Sequence, residues 1–173
     1  TPIRFGPGRR APSRRRVELE ARALVKHYPG VLALDDGSIG VRGGEVHGVV
    51  GENGAGKSTL MKVLSGAGWP DAGTLDFDGR TLLRTPPHRV VRRGIARTFQ
   101  NVELFPTMTV LDNVLVGAHS RTRPFRSKGA RAEALEVLEY VGAARHAGRP
   151  AAGLPFGTLK QVELARALVA RPK

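Results

Sequence analysis

Residues 51–59 read Gly51-Glu52-Asn53-Gly54-Ala55-Gly56-Lys57-Ser58-Thr59. The spacing G-x-x-x-x-G-K-[ST] is a device for holding a polyphosphate. Glycines let the backbone wrap a triphosphate with its N–H groups turned inward and no Cβ in the way. A helix that begins at the end of such a loop adds its own N-terminal N–H groups and the positive end of its dipole. Lys57 would reach the β- and γ-phosphates as a mobile point charge, and the Ser58 hydroxyl would ligate Mg²⁺. Nucleotide binding is the chemistry this stretch is built for.

The flanks suit that reading. EVHGVV at 45–50 is a short β-rich run, expected as a strand entering the loop, and KSTLMKVLS at 57–65 is expected as a helix that stops at Gly66. Upstream, 17–28 and 31–42 read as strands around the Pro29-Gly30 turn. Downstream, 73–83 reads as a hairpin turning at Asp78-Gly79. A short helix is expected over 86–93 and a strand over Ile95–Phe99. Thr109 with Asp112 three residues on forms a capping box for a helix over 110–119. Two amphipathic helices follow. Leu135, Leu138 and Val141 share a face over 130–142, and Val162, Leu164, Ala165, Leu168 and Val169 mark a second over 158–170. Strands dominate the first half and helices the second, so a mixed α/β core with a helical insertion is expected.

The chain has 173 residues, enough for one domain with a real core. It holds no cysteine, which excludes a disulfide framework, a Cys-based zinc site and a cysteine nucleophile. No apolar run approaches the length of a bilayer crossing, and the N-terminus lacks the apolar stretch of a secretory signal, so a cytosolic location is expected. Thr1 is not an initiator Met and Lys173 falls just past a helix-like run, so both ends read as cut.

The formal charge of +13 is clustered. Residues 1–16, 84–97 and 121–131 carry 16 of the 28 Lys and Arg residues and no acid, which leaves the body near neutral. The first run, punctuated by Pro and Gly, reads as a flexible basic arm. Basic patches attract nucleic acid, phosphates or lipid headgroups. Only Phe5 and Phe125 stand within the runs, too few for a row of stacking platforms, which argues against nucleic acid as a partner.

Three collinear segments carry a family resemblance. GENGAGKSTLMKVLSG resembles the Walker A region of ATP-binding cassette (ABC) proteins, above all the ATPases of sugar importers. GIARTFQNVELFPTMTVLDNVLVG at 94–117 is similar to the Q-loop region of branched-chain amino acid importer ATPases, and LPFGTLKQVELARALVARPK at 154–173 to their signature motif and helix. The resemblance implies a P-loop NTPase core of ABC ATPase type with a helical subdomain, truncated before the Walker B strand. It places Walker A and the Q-loop start in a β-rich core at 17–100, and the signature motif in a helical part at 101–173. The implied function is that of an importer's ATP-binding subunit. It would couple MgATP binding and hydrolysis to solute uptake, with branched-chain amino acids the expected solute. The implied partners are a second ATP-binding subunit, integral membrane permease subunits and, indirectly, a substrate-binding protein, at the cytoplasmic face of the membrane. A nucleic-acid-associated ABC-type ATPase and a non-catalytic nucleotide-binding fragment are the alternatives.

The resemblance also assigns residues. Tyr28 would stack on adenine, and Gln100 would contact Mg²⁺ and the attacking water. Phe105 and Pro106 would face the permease. Leu154-Pro155-Phe156-Gly157-Thr158 stands where the family usually has Leu-Ser-Gly-Gly-Gln, the segment that touches the γ-phosphate held by the other subunit. Pro155 has neither a hydroxyl nor an N–H, so that contact would rest on Gly157 and the following helix N-terminus. The family continues into an apolar strand ending in Asp-Glu and on to a switch histidine. Neither stands in this chain, and none of His27, His47, His88, His119 and His146 lies where that histidine would. Hydrolysis needs such carboxylates, so no meaningful turnover is expected of these 173 residues alone.

Overall fold

A computed structural model describes residues 18–119 and 128–173. The expected basic arm at 1–16 and residues 121–127 of the third basic run lie outside the described residues. The chain divides into two units, one running to Val90 and including Lys173, the other spanning Val91–Pro172.

The first unit is built on a four-stranded antiparallel sheet in the order β2-β1-β3-β4. β1 (Glu18–Tyr28) and β2 (Val31–Arg42) join at the expected Pro29-Gly30 turn, which sets Tyr28 opposite Val31. β3 (Ala72–Phe77) and β4 (Arg80–Thr81) join at Asp78-Gly79, both with positive φ as a tight hairpin turn requires. α1 (Lys57–Leu64) follows the glycine-rich loop and buries Leu60 and Val63. Its end is the predicted one: Gly66 adopts φ 71° and its N–H donates to the Val63 carbonyl. Ala21, Leu24, Leu34, Ile39, Leu75 and Phe77 from the sheet are buried with Leu60 and Val63. α2 (Pro87–Arg92) contributes Val90, where the division between the units falls.

Two expected strands are not formed. Residues 45–50 join no ladder, and Val46 and Val50 stay exposed. Residues 95–99 are likewise irregular. A β-rich run becomes a strand only when a neighbour takes up its N–H and C=O groups. None of the described strands runs beside 45–50, and the Phe99 N–H donates to the Glu163 carboxylate instead of to a ladder.

The second unit is helical. α3 (Val110–Ala118), α4 (Lys128–Tyr140) and α5 (Phe156–Leu168) close around Val114, Leu115, Leu138, Val162, Ala165 and Val169. The capping box at α3 forms, since the Asp112 N–H donates to Thr109 Oγ1 at 3.0 Å. Its return bond differs, for the Thr109 hydroxyl donates to the Asp112 carboxylate at 2.7 Å. The apolar faces need two corrections. α4 buries Ala130, Ala134 and Leu138, while Leu135 is 38% exposed because it lies about 100° round the helix from Ala134. On α5, Leu164 is 45% exposed for the same reason relative to Ala165. α3 and α5 touch closely at Gly117, where a Cβ would fall 2.0 Å from the Arg166 carbonyl oxygen. No helix among the described residues is long and apolar enough to cross a membrane.

Candidate functional site

The sheet and α1 dictate the shape of the loop at 51–59. The Ala55 N–H donates to the Glu52 carbonyl at 3.1 Å, and α1 opens at Gly56 with a Leu60 N–H to Gly56 carbonyl bond of 2.8 Å. Gly54 and Gly56 take φ of 88° and 86°, a left-handed backbone that turns the chain twice within three residues. Gly56 is pressed against β2: a Cβ there would lie 2.4 Å from the Ala33 carbonyl oxygen. Gly51, Glu52, Asn53 and Gly54 remain exposed, Ala55 is half-buried, and Gly56 is buried.

The donors of this loop suit an anion. Lys57 folds its ammonium back over the loop, donating to the Gly51 carbonyl at 2.6 Å and the Glu52 carbonyl at 2.7 Å. Two loop acceptors are thereby occupied and a positive charge is held at the loop's centre. Lys57, Ser58 and Thr59 form the first turn of α1, whose N–H groups have no acceptor within the helix. No side chain caps that turn and no acid sits in it. Ser58 is exposed and Thr59 half-buried. Free backbone donors, a cation and an exposed hydroxyl fit a polyphosphate carrying a metal ion. Among the described residues no cluster of three or more His, Cys, Asp or Glu could hold a metal alone. Tyr28 is 41% exposed at the end of β1, with the Lys26 ammonium 5.6 Å from its ring centre.

Gln100 and residues 154–158 belong to the second unit. The chain ahead of the second segment is tied to residues 106–111. The Val110 N–H donates to Arg149, Leu111 to Ala147, Ala151 to Met108 and Ala152 to Pro106. Leu154 is buried as an anchor, Phe156 is 67% exposed, Gly157 is exposed and Thr158 half-buried. Pro155 stands at the N-cap of α5 and makes no side-chain cap, so the first turn of this helix also keeps open donors. Gln100 is exposed, and its backbone is held by α5: its carbonyl accepts from Lys160 at 3.0 Å. Phe105 is half exposed, on a loop held by the fully buried Asn113. Asn113 accepts the Phe105 N–H at 2.8 Å and donates to the Phe105 and Thr109 carbonyls, each at 3.0 Å.

Asn113, Lys160 and Glu163 were not foreseen as site residues. A polar side chain inside an apolar-periodic stretch is the available signal, but sequence does not show which backbone groups it will meet. Arg166 is also drawn in. Burial lowers its guanidinium below the ordinary arginine value while Glu163 and Glu103 raise it.

The ABC transporter family profile matches residues 34–173. The arabinose import ATP-binding protein AraG 2 of Burkholderia cenocepacia (strain HI2424) is 42% identical over 143 residues, covering 82% of this chain and 28% of that protein. The high-affinity branched-chain amino acid transport ATP-binding protein LivG of Salmonella typhimurium is 34% identical over 168 residues, covering 90% of this chain and 66% of that protein. Among solved structures, the ATP-binding cassette MJ1267 in its ADP conformation superposes with a TM-score of 0.81 at 32% identity. That match covers 91% of this chain and 66% of MJ1267. The chain thus spans less than a third of the arabinose relative and about two thirds of the other two. Both likenesses read from separate segments, to sugar importers and to branched-chain amino acid importers, reappear among these relatives.

Proposed function

Because the chain belongs to the ABC transporter family, we propose that it is the nucleotide-binding part of an importer ATPase, one that binds MgATP and, in the full-length protein, hydrolyses it to drive solute uptake. The single observation that carries this reading is the loop at 51–59. Its two left-handed glycines and the Lys57 ammonium folded back over it lead into the uncapped first turn of α1.

In this reading the backbone N–H groups of Asn53–Thr59 hold the phosphates and Lys57 neutralises their outer oxygens. Ser58 and Gln100 contribute to Mg²⁺, which polarises the terminal phosphate when bound. Gln100 also orients the attacking water, and Tyr28 lies against the base. Leu154–Thr158 presents the first turn of α5 to the nucleotide of a second ATP-binding subunit. With Pro155 in place, that contact uses N–H groups and no serine hydroxyl. Phe105 and Pro106 face a membrane permease, which places the protein peripherally at the cytoplasmic face. The continuous likeness to LivG over 168 residues favours branched-chain amino acids as the solute.

Equilibrium binding of MgATP to parent and Lys57→Ala proteins tests the core of the proposal. The variant is expected to bind about 100-fold more weakly, as loss of a charge-assisted contact worth ~3 kcal/mol implies. Equal affinity would refute it. Uptake of labelled leucine against labelled arabinose by the assembled transporter decides the solute.

A further inference from the structure

Lys160, Glu163 and Arg166 stand at intervals of three on α5, beside the residues that pack into the helical core, and all three grip the chain around Gln100. The Lys160 ammonium donates to the Phe99 carbonyl at 2.9 Å, the Gln100 carbonyl at 3.0 Å and Glu163 Oε2 at 2.9 Å. These bonds match the three donors an ammonium has. Glu163, with its side chain only 2% exposed, accepts the Phe99 N–H on Oε1 at 2.8 Å. Arg166 donates to the Glu103 carbonyl. Three consecutive peptide groups, on both sides of the Gln100 Cα, are therefore fixed to one helix. The Gln100 side chain is exposed and makes no hydrogen bond within the described residues.

We propose that Lys160 and Glu163 are positioning residues for Gln100: their clamp sets where its side chain stands and makes it move with the helix whose first turn is Phe156–Thr158. This rests on the reading of Gln100 as a residue that orients water and Mg²⁺. Burying a carboxylate is costly, and well-packed apolar residues often serve stability as well as a buried ion pair does. What the pair contributes is a defined geometry, because every donor and acceptor in it is matched to a specific backbone group. Lys160 also lies 5.7 Å from the Phe156 ring, so one ammonium meets both the exposed aromatic at the start of α5 and the glutamine's own backbone.

The test uses the full-length protein with Lys160→Met, Gln100→Ala and the double variant, alongside Lys160→Arg. Displacing a reacting group by about 1 Å costs up to ~100-fold. Lys160→Met is expected to lower kcat ~10–100-fold while the KM for MgATP stays within about twofold. The double variant should be no slower than the slower single one, because the lysine acts through the glutamine. Lys160→Arg, which keeps charge and donors, should recover most of the rate. Losses that multiply in the double variant, or an unchanged kcat in Lys160→Met, would overturn the proposal. Amide exchange at Phe99 gives a second measurement. Glu163→Gln puts an amide donor against the lysine and should speed exchange at Phe99, and unchanged exchange would equally overturn the clamp. A parent that binds no MgATP defeats the nucleotide reading itself. A parent that turns over while Lys160→Met does so equally defeats only the positioning role.

Discussion

Gly54 and Gly56 offer a clean separation of backbone strain from steric exclusion within the loop at 51–59. Their φ values, 88° and 86°, are almost the same, so alanine at either position bears the same left-handed cost of ~1–2 kcal/mol. Their surroundings differ. A Cβ on Gly54 meets no heavy atom within 4 Å, so strain is the whole effect there. A Cβ on Gly56 lies 2.4 Å from the Ala33 carbonyl oxygen and 3.0 Å from Leu34 Cδ2. A carbon and a carbonyl oxygen settle no closer than ~3.3 Å, so the gap must open by ~0.9 Å. β2 cannot supply that movement, because Leu32 and Leu34 are paired with His27 and Lys26 and Leu34 is buried. The loop must lift from the strand, taking with it the carbonyl that accepts the Leu60 N–H at the start of α1. Overpacking of this kind costs a further ~1–3 kcal/mol. That difference predicts a loss of MgATP affinity ~5–150-fold greater for Gly56→Ala than for Gly54→Ala. Equilibrium nucleotide binding, with urea unfolding of each variant alongside, measures both. Affinity losses equal within twofold, or a larger loss for Gly54→Ala, would refute the account of the loop as braced by β2.

In the helical unit, Gly117→Ala should destabilise by ~1–3 kcal/mol despite alanine's better helix propensity, because its Cβ would meet the Arg166 carbonyl oxygen at 2.0 Å. Gly129→Ala on α4 meets nothing within 4 Å and should be neutral or slightly stabilising, so urea midpoints should move in opposite directions. Asn113→Asp should destabilise more than Asn113→Ala, because a buried carboxylate would face the Phe105 and Thr109 carbonyls that the amide now satisfies. Urea unfolding at neutral pH ranks the two. Asp71 is held at about 2, below its ordinary 3.8, chiefly by the Lys26 ammonium and then by the His27 N–H. A carboxylate with a lowered folded value stabilises above the unfolded value and loses that effect as pH falls through the folded one. The stability gap between parent and Asp71→Asn should therefore be constant above about pH 5 and close between about pH 4 and 2. A gap unchanged across that range would contradict the assignment.

What the sequence revealed was whatever depends on local geometry alone. The loop at 51–59, the Pro29-Gly30 and Asp78-Gly79 turns, the Gly66 stop and the Thr109 cap each follow from backbone freedom or a short side chain meeting its own neighbours. Pairing was less legible. EVHGVV has strand composition, but composition does not supply the neighbour that would take up its hydrogen bonds, and the run stays outside the sheet. The helix faces depart from the periodic pattern by one residue at Leu135 and Leu164, where an apolar side chain at the margin of a stripe faces outward.

Lys160, Glu163 and Asn113 were hidden for a further reason. Periodicity sorts residues into an apolar inside and a polar outside, and it has no place for a helix buried on two sides. α5 is such a helix: Val162, Ala165 and Val169 pack against the core, and Lys160, Glu163 and Arg166 beside them meet residues 99–103. Glu163 lies about 160° round from Ala165, where an amphipathic pattern expects solvent. It is nonetheless as buried as the core, because an irregular segment offers it an N–H and a lysine offers it a charge. Irregular backbone must find its hydrogen-bond partners somewhere. At Phe99 the missing strand and the buried Glu163 on α5 are one fact: the N–H and C=O that a ladder would have absorbed are instead committed to the helix that begins at Phe156. A polar residue on the outer face of a helix, next to a predicted strand that lacks a partner, is therefore where a positioning contact should be sought.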